Sequence, residues 1–171
     1  MSKPFPFRIK ICGLRDAKEI RHTVAAGADA IGINLVRQSR RFVGPEPLHA
    51  LCTAAEPAMR VGVVANPTVR ELERWQADGY FDMVQLHGDE SVDVSDRIHI
   101  PYVRAVRLRP GALAELVREL ESWLECGRPP SAVLLDAWVE RELGGTGEVA
   151  DWETAARLVE QLRPWPVILA G

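Results

Sequence analysis

Two periodicities alternate along this chain. Short, largely apolar runs recur at Ala30–Leu35 (AIGINL), Arg60–Ala65 (RVGVVA), Phe81–Leu86, Tyr102–Leu108, Ala132–Asp136 (AVLLD) and Pro166–Ala170 (PVILA), the pattern of strands buried on both faces. Phe7–Ile11 is a shorter run, with apolar residues at Phe7, Ile9 and Ile11. Between the runs lie segments of helical spacing. Asp16, with Glu19 three residues on, predicts a capped helix carrying Ile20, Val24 and Ala25 and ending at Gly27. Pro45 opens a second helix toward Ala55, and Thr68 caps a third through Ala77. A short helix over Asp89–Arg97, a long amphipathic one over Gly111–Glu125, and one from Asp151 to Leu162 complete the series. The prediction is seven strands and six intervening helices, with a strand starting about every 26 residues, roughly one βα unit.

Apolar strands separated by amphipathic helices imply a parallel sheet covered by helices. Two architectures compete, a doubly wound open sheet and a (β/α)8 barrel. A doubly wound nucleotide-binding domain usually shows a glycine fingerprint after its first strand, but that turn here reads CGLRD, with a single glycine. Polar or reactive residues instead end several different strands: Cys12, Asn34, Asn66, Gln85, His87 and Asp136. That distribution favours the barrel. The chain stops at Leu169-Ala-Gly171, short of the helix–strand–helix that an eighth unit needs. The expectation is therefore a single domain over residues 1–171, a (β/α)8 TIM-barrel chain lacking its last βα units and exposing two sheet edges.

Composition narrows the function classes. With 171 residues the chain can bury a real core, and its net charge of −3 gives no basic footprint for nucleic acid. No apolar run approaches the roughly 20 residues needed to span a bilayer. Cys12, Cys52 and Cys126 are an odd set without metal-ligand spacing, which suits a reducing cytoplasm better than a disulfide framework.

Candidate chemistry clusters at the strand ends. Cys12 ends the first strand and precedes Gly13, which places it at the barrel mouth, although a lone cysteine is commonly a small buried hydrophobe. Lys10 lies two residues back on the same strand face, and a neighbouring ammonium favours a thiolate. Asp136 ends an apolar strand and is followed by a loop containing Gly144-Gly-Thr-Gly147. Closure of such a loop would shield the carboxyl and favour its protonated form as a general acid; a helix-capping role is the plain alternative. Gly144 and Gly145 suit close backbone approach or a simple turn. Arg41, in Ser39-Arg-Arg41, is either solvated or a clamp for a carboxylate. Gln85 and His87 share one strand face, and neither has a metal partner at ligand spacing.

In order and spacing, Lys10-Ile-Cys-Gly13, Gly27-Ala-Asp-Ala-Ile-Gly32, Ser39-Arg-Arg-Phe42, Val84-Gln-Leu-His-Gly-Asp-Glu90, Leu134-Leu-Asp136, Gly144-Gly-Thr-Gly147 with Asp151-Trp152, and Leu169-Ala-Gly171 resemble the phosphoribosylanthranilate isomerase family of tryptophan biosynthesis. The resemblance implies a (β/α)8 barrel that converts an N-phosphoribosyl aminoaldose to an aminoketose without metal or organic cofactor. It implies Cys12 as general base and Asp136 as general acid, with Arg41 holding the anthranilate carboxylate. Gln85, His87, Gly144, Gly145 and Gly171 fall at substrate-binding positions. The implied partner is the small phosphosugar–anthranilate substrate, not nucleic acid or membrane, for a cytoplasmic monomer or homodimer. Arg15, where the family often has threonine, alters the pocket wall only. Because the family binds the substrate phosphate with the loops after strands seven and eight, the 171-residue chain alone is expected to be weakly active or inactive. An inactive barrel fragment or assembly module, and another phosphosugar-acting barrel enzyme, are the alternatives.

Overall fold

Seven strands form, the last six where the apolar runs predict them: β1 (Lys10–Cys12), β2 (Ala30–Asn34), β3 (Met59–Val64), β4 (Met83–Leu86), β5 (Tyr102–Leu108), β6 (Ala132–Ala137) and β7 (Val167–Ala170). The structure is a computed structural model and describes residues 5–108, 113–137, 152–163 and 165–170. The strands lie side by side in chain order, every neighbouring pair parallel. A doubly wound sheet would reverse its strand order at a switch point, so this unbroken order excludes it. Helices α1 (Ala17–Ala25), α2 (Pro45–Ala54), α3 (Val69–Ala77), α4 (Leu113–Leu124) and α5 (Trp152–Gln161) connect the strands, and a 3-10 helix over Val92–Arg97 joins β4 to β5.

The sheet curls. Ala30 of β2, Val61 of β3, Met83 of β4, Val103 and Ala105 of β5, and Ala132 and Leu134 of β6 form one buried cluster with Phe7. Ile168 and Ala170 of β7 pack against it. His87, just past β4, also meets Asp136 of β6 across the intervening strand, so this face curls inward, as a barrel interior does. On the outer face, Ile31 and Ile33 pack with Ile20 of α1 and Leu48 and Leu51 of α2, while Val133 and Leu135 meet Leu120 of α4 and Leu158 of α5. The inner strands, β2 to β6, thus bury both faces, which explains their nearly continuous apolar runs.

Local signals fix the helix starts. The Asp16 carboxylate accepts the amides of Lys18 (2.8 Å) and Glu19 (3.0 Å), and Thr68 and Glu71 form a reciprocal capping box at α3. The Asp151 cap lies outside the described residues. Two expectations need correction. Asp89–Arg97 is a 3-10 helix only from Val92, because Glu90 is drawn under the preceding turn, as described below. The first strand forms over Lys10–Cys12 rather than Phe7–Ile11. Phe7 turns into the interior cluster, whereas Ile9 and Ile11 point outward and are 51% and 39% exposed. Among the described residues, β1 and β7 end the sheet and do not pair with one another. No helix among them is long and apolar enough to cross a membrane.

Candidate active site

Strand alternation determines which side chains enter the mouth. The inward positions that line the interior, Ala30 on β2, Met83 on β4, Val103 and Ala105 on β5, and Ala132 and Leu134 on β6, continue upward to Asn34, Gln85 and His87, Arg107, and Asp136. On β1 the outward Ile9 and Ile11 leave Lys10 and Cys12 facing inward.

Gly32 lies opposite Cys12 in the β1–β2 register. A Cβ there would stand 2.7 Å from Cys12 Sγ and 3.2 Å from Lys10 Nζ, so this glycine vacates the space that the thiol and the ammonium share. Beside them, the Arg41 guanidinium crosses Gly13, whose φ of +83° and missing side chain both matter: a Cβ would stand 2.3 Å from Arg41 Cδ. Arg41 Nη1 donates to the Cys12 carbonyl (3.1 Å). The loop that carries Arg41 is knitted by Ser39 Oγ, which accepts from Asn34 Nδ2 and from the Arg41 amide, each at 3.1 Å.

Across the mouth, Asp136 Oδ2 is 3.2 Å from His87 Nε2, and Gln85 Nε2 is 3.0 Å from His87 Nδ1. If Gln85 Nε2 donates to Nδ1, the ring's Nε2–H is left to face the carboxylate. The buried Gln85 Oε1 is then left without a partner. Turning the amide over would let Oε1 accept an Nδ1–H, the arrangement an imidazolium requires. Gln85 therefore has an amide face for each charge state of His87.

His87 is held by a lock beneath its loop. The Glu90 carboxylate, 3% exposed, accepts the amides of Asn66 (2.8 Å) and Gly88 (3.0 Å) and Arg104 Nη1 (2.7 Å). Arg104 also donates to the Gly88 carbonyl (2.9 Å) and to Glu119 (2.7 Å), and its guanidinium lies 5.1 Å from the centre of the Trp123 ring. Gly88 has no room for a Cβ, which would meet the Asn66 nitrogen at 2.7 Å. Asn66, in the left-handed region at φ 48°, accepts the Asp89 amide through its side chain. It joins two loops and also borders the cavity beside Trp75.

The structure thus brings Asp136, His87 and Gln85 into one hydrogen-bonded row and places Cys12 and Arg41 together on the β1 side. Gly144, Gly145 and Gly171 lie outside the described residues, as does the loop expected to shield Asp136. Three features escaped the sequence: the His87–Asp136 contact, the Glu90–Arg104 lock and the inward Arg107. Only Arg107 had a readable signal, since it shares strand parity with Val103 and Ala105. His87 and Arg107 both border a cavity of about 540 Å3 beside Trp75 and one of about 340 Å3 beside Glu119. With Asn34, Ser39 and Asp136 they line a smaller one of about 70 Å3.

The family model for N-(5'-phosphoribosyl)anthranilate (PRA) isomerase matches residues 9–171. An N-(5'-phosphoribosyl)anthranilate isomerase of Nitrosomonas europaea is 38% identical over 165 residues, covering 96% of this chain and 74% of that protein. One from a Synechococcus species is 40% identical over 173 residues, with 96% and 75% covered. The phosphoribosyl anthranilate isomerase structure from Thermotoga maritima superposes with a TM-score of 0.79 at 26% identity, covering 96% of this chain and 77% of its own. That from Thermus thermophilus gives 0.74 at 29% identity, with 96% and 76% covered. With the strand order, the inward ring and these matches in agreement, this chain belongs to the N-(5'-phosphoribosyl)anthranilate isomerase family.

Proposed function

We propose that this chain carries out the family's reaction of tryptophan biosynthesis with Cys12 as general base and Asp136 as general acid. The observation that carries the assignment is the arrangement of the mouth: a thiol beside an ammonium on β1, and a carboxyl hydrogen-bonded to an imidazole on β6 and β4. Asp136 protonates the ring oxygen of the phosphoribosyl amine, and the C1′–O bond opens to an iminium. Cys12 thiolate then takes the C2′ proton, and the electron pair flows into the iminium to give an enolamine. Its tautomerisation yields the aminoketose. The iminium is the electron sink, so one acid and one base account for the proton transfers. Lys10 lies on the same strand face as the sulfur, and His87 supplies Asp136 with a hydrogen-bond partner. Arg41 faces the aryl carboxylate from the β1 side, and Gln85 holds the His87 ring.

The substrate is a small phosphosugar–anthranilate conjugate, and we place the protein in the cytoplasm as a monomer or homodimer. The test is the loss of phosphoribosylanthranilate fluorescence, followed with the 171-residue chain and with the same chain carrying the C-terminal quarter of the Nitrosomonas relative. Cys12→Ala and Asp136→Asn are each expected to lower turnover by about 10^2- to 10^4-fold. Full rate in both would refute the assignment.

A second reading has its own observation. Outward residues at the two ends of the sheet, Ile9, Ile11 and Leu169, are exposed apolar side chains beside strand edges that are unpaired among the described residues. Such edges suit an assembly module that pairs with another chain. Sedimentation of the 171-residue chain separates the two: a compact monomer speaks against edge pairing.

A further inference from the structure

Arg107 is the one inward-facing cation at the end of β5, and the role of its charge is not explained by packing. It is half-buried and pairs with Asp136 in the β5–β6 register. Its side chain borders all three cavities of the mouth. The other arginines around this end are engaged: Arg41 on the Cys12 carbonyl, Arg15 on the Arg40 carbonyl, Arg37 on Glu71, and Arg104 on Glu90 and Glu119. Arg107 makes no hydrogen bond and no ion pair among the described residues. Of the carboxylates that share its cavities, Glu90 and Glu119 are held by Arg104, Asp136 meets His87 and Glu71 meets Arg37, while Asp89 and Glu115 lie beyond ion-pair distance of Arg107.

A partly desolvated guanidinium without a counter-charge is unfavourable on its own account. A solvated arginine would extend away from the barrel, but strand parity sends this one inward. Its planar fork fits a carboxylate or a phosphate through two parallel hydrogen bonds. We propose that Arg107 is a substrate-binding residue that receives an oxyanion of the phosphorylated, carboxylated substrate across the mouth from Cys12. This inference rests on the isomerase reading above. The aryl carboxylate and the sugar phosphate are the two oxyanions available, and they share the recognition chemistry.

Calorimetric titration tests this without turnover. The probes are reduced 1-(o-carboxyphenylamino)-1-deoxyribulose 5-phosphate, the compound named in a solved relative's complex, its counterpart lacking the carboxylate, and its counterpart lacking the phosphate. Each is titrated into the wild-type chain and into Arg107→Met and Arg107→Lys. A charge-assisted contact predicts that Arg107→Met weakens the complete compound by about ten- to a hundredfold. The loss should vanish for one truncated compound, the one without the anion that Arg107 holds. Arg107→Lys should recover part of the affinity. Equal losses on all three compounds, or no loss on any, would overturn the proposal while leaving the isomerase reading intact. Failure of both the 171-residue chain and the same chain carrying the C-terminal quarter of the Nitrosomonas relative to bind the complete compound would overturn both. Circular dichroism of each variant shows that the comparison is between folded proteins.

Discussion

The two ends of this barrel treat their charges in opposite ways. At the N-terminal ends of the strands, Asp29 accepts the amides of Arg8 and Ile9, both at 3.0 Å. Asp82 takes the Arg60 amide at 2.8 Å and its guanidinium at 2.7 and 3.0 Å. These bonds hold both carboxyls below their ordinary range, Asp29 through the Arg8 and Ile9 amides and Asp82 chiefly through the Arg60 side chain. At the C-terminal ends, Lys10 and Arg107 have no counter-charge among the described residues, Gln85 Oε1 is buried without a partner, and Gly32 leaves space between strands. Among the described residues, one end satisfies its charges internally and the other leaves two cations without a counter-charge. The barrel assigns stability and chemistry to opposite faces, and the same residue types mean different things at each.

The contrast can be broken in order of expected effect. Cys12→Ala or Asp136→Asn should abolish nearly all turnover, by about 10^2- to 10^4-fold, while the urea midpoint stays close to wild type. A large fall in stability would show that these positions are structural. Next, Glu90→Gln removes one charge from a buried pair that ties two loops and should cost about 3–5 kcal/mol in urea unfolding. This mouth-end network behaves as structure, and an unchanged midpoint would deny the lock. At the opposite end, Arg60→Leu breaks a partly exposed pair and should cost no more than about 1 kcal/mol, with turnover untouched.

The Asp82 pair also carries a pH signature. A carboxyl depressed on folding contributes stability above its unfolded value of 3.8, and that contribution is lost as pH falls through the lower folded value. Urea midpoints measured down through the carboxylate range should therefore fall less steeply in Arg60→Leu than in wild type. The smallest effect is a labelling order. Burial pushes the Cys52 thiol up to about 11, so a thiol reagent at neutral pH should modify Cys12 in the native chain and Cys52 only on unfolding, as mass spectrometry of pulse-labelled peptides would show.

Much of the fold was legible because the inner strands, β2 to β6, bury both faces, and continuous apolar runs are hard to mistake once helices separate them. Boundaries and faces were less so. Ile9 and Ile11 are as apolar as Phe7, yet only the sheet's curvature decides that they look outward. The segment YVRAVRL shows both what was readable and what was not. Arg104 and Arg107, three residues apart, must fall on opposite faces of a strand, one toward the helices and the other into the mouth. Parity alone separates them. What each one meets depends on Glu90, Glu119 and the cavities, which come from other elements. The same holds for His87 and Asp136, whose contact joins β4 to β6 across an intervening strand.

The account's central claim is that a sulfur on β1 and a carboxyl on β6 act in succession on one bound substrate. A double-mutant cycle on turnover measures this directly. If the two act within one sequence of steps, Cys12→Ala combined with Asp136→Asn should be no slower than the worse single variant. Losses that multiply in full, or a double variant near the wild-type rate, would contradict it.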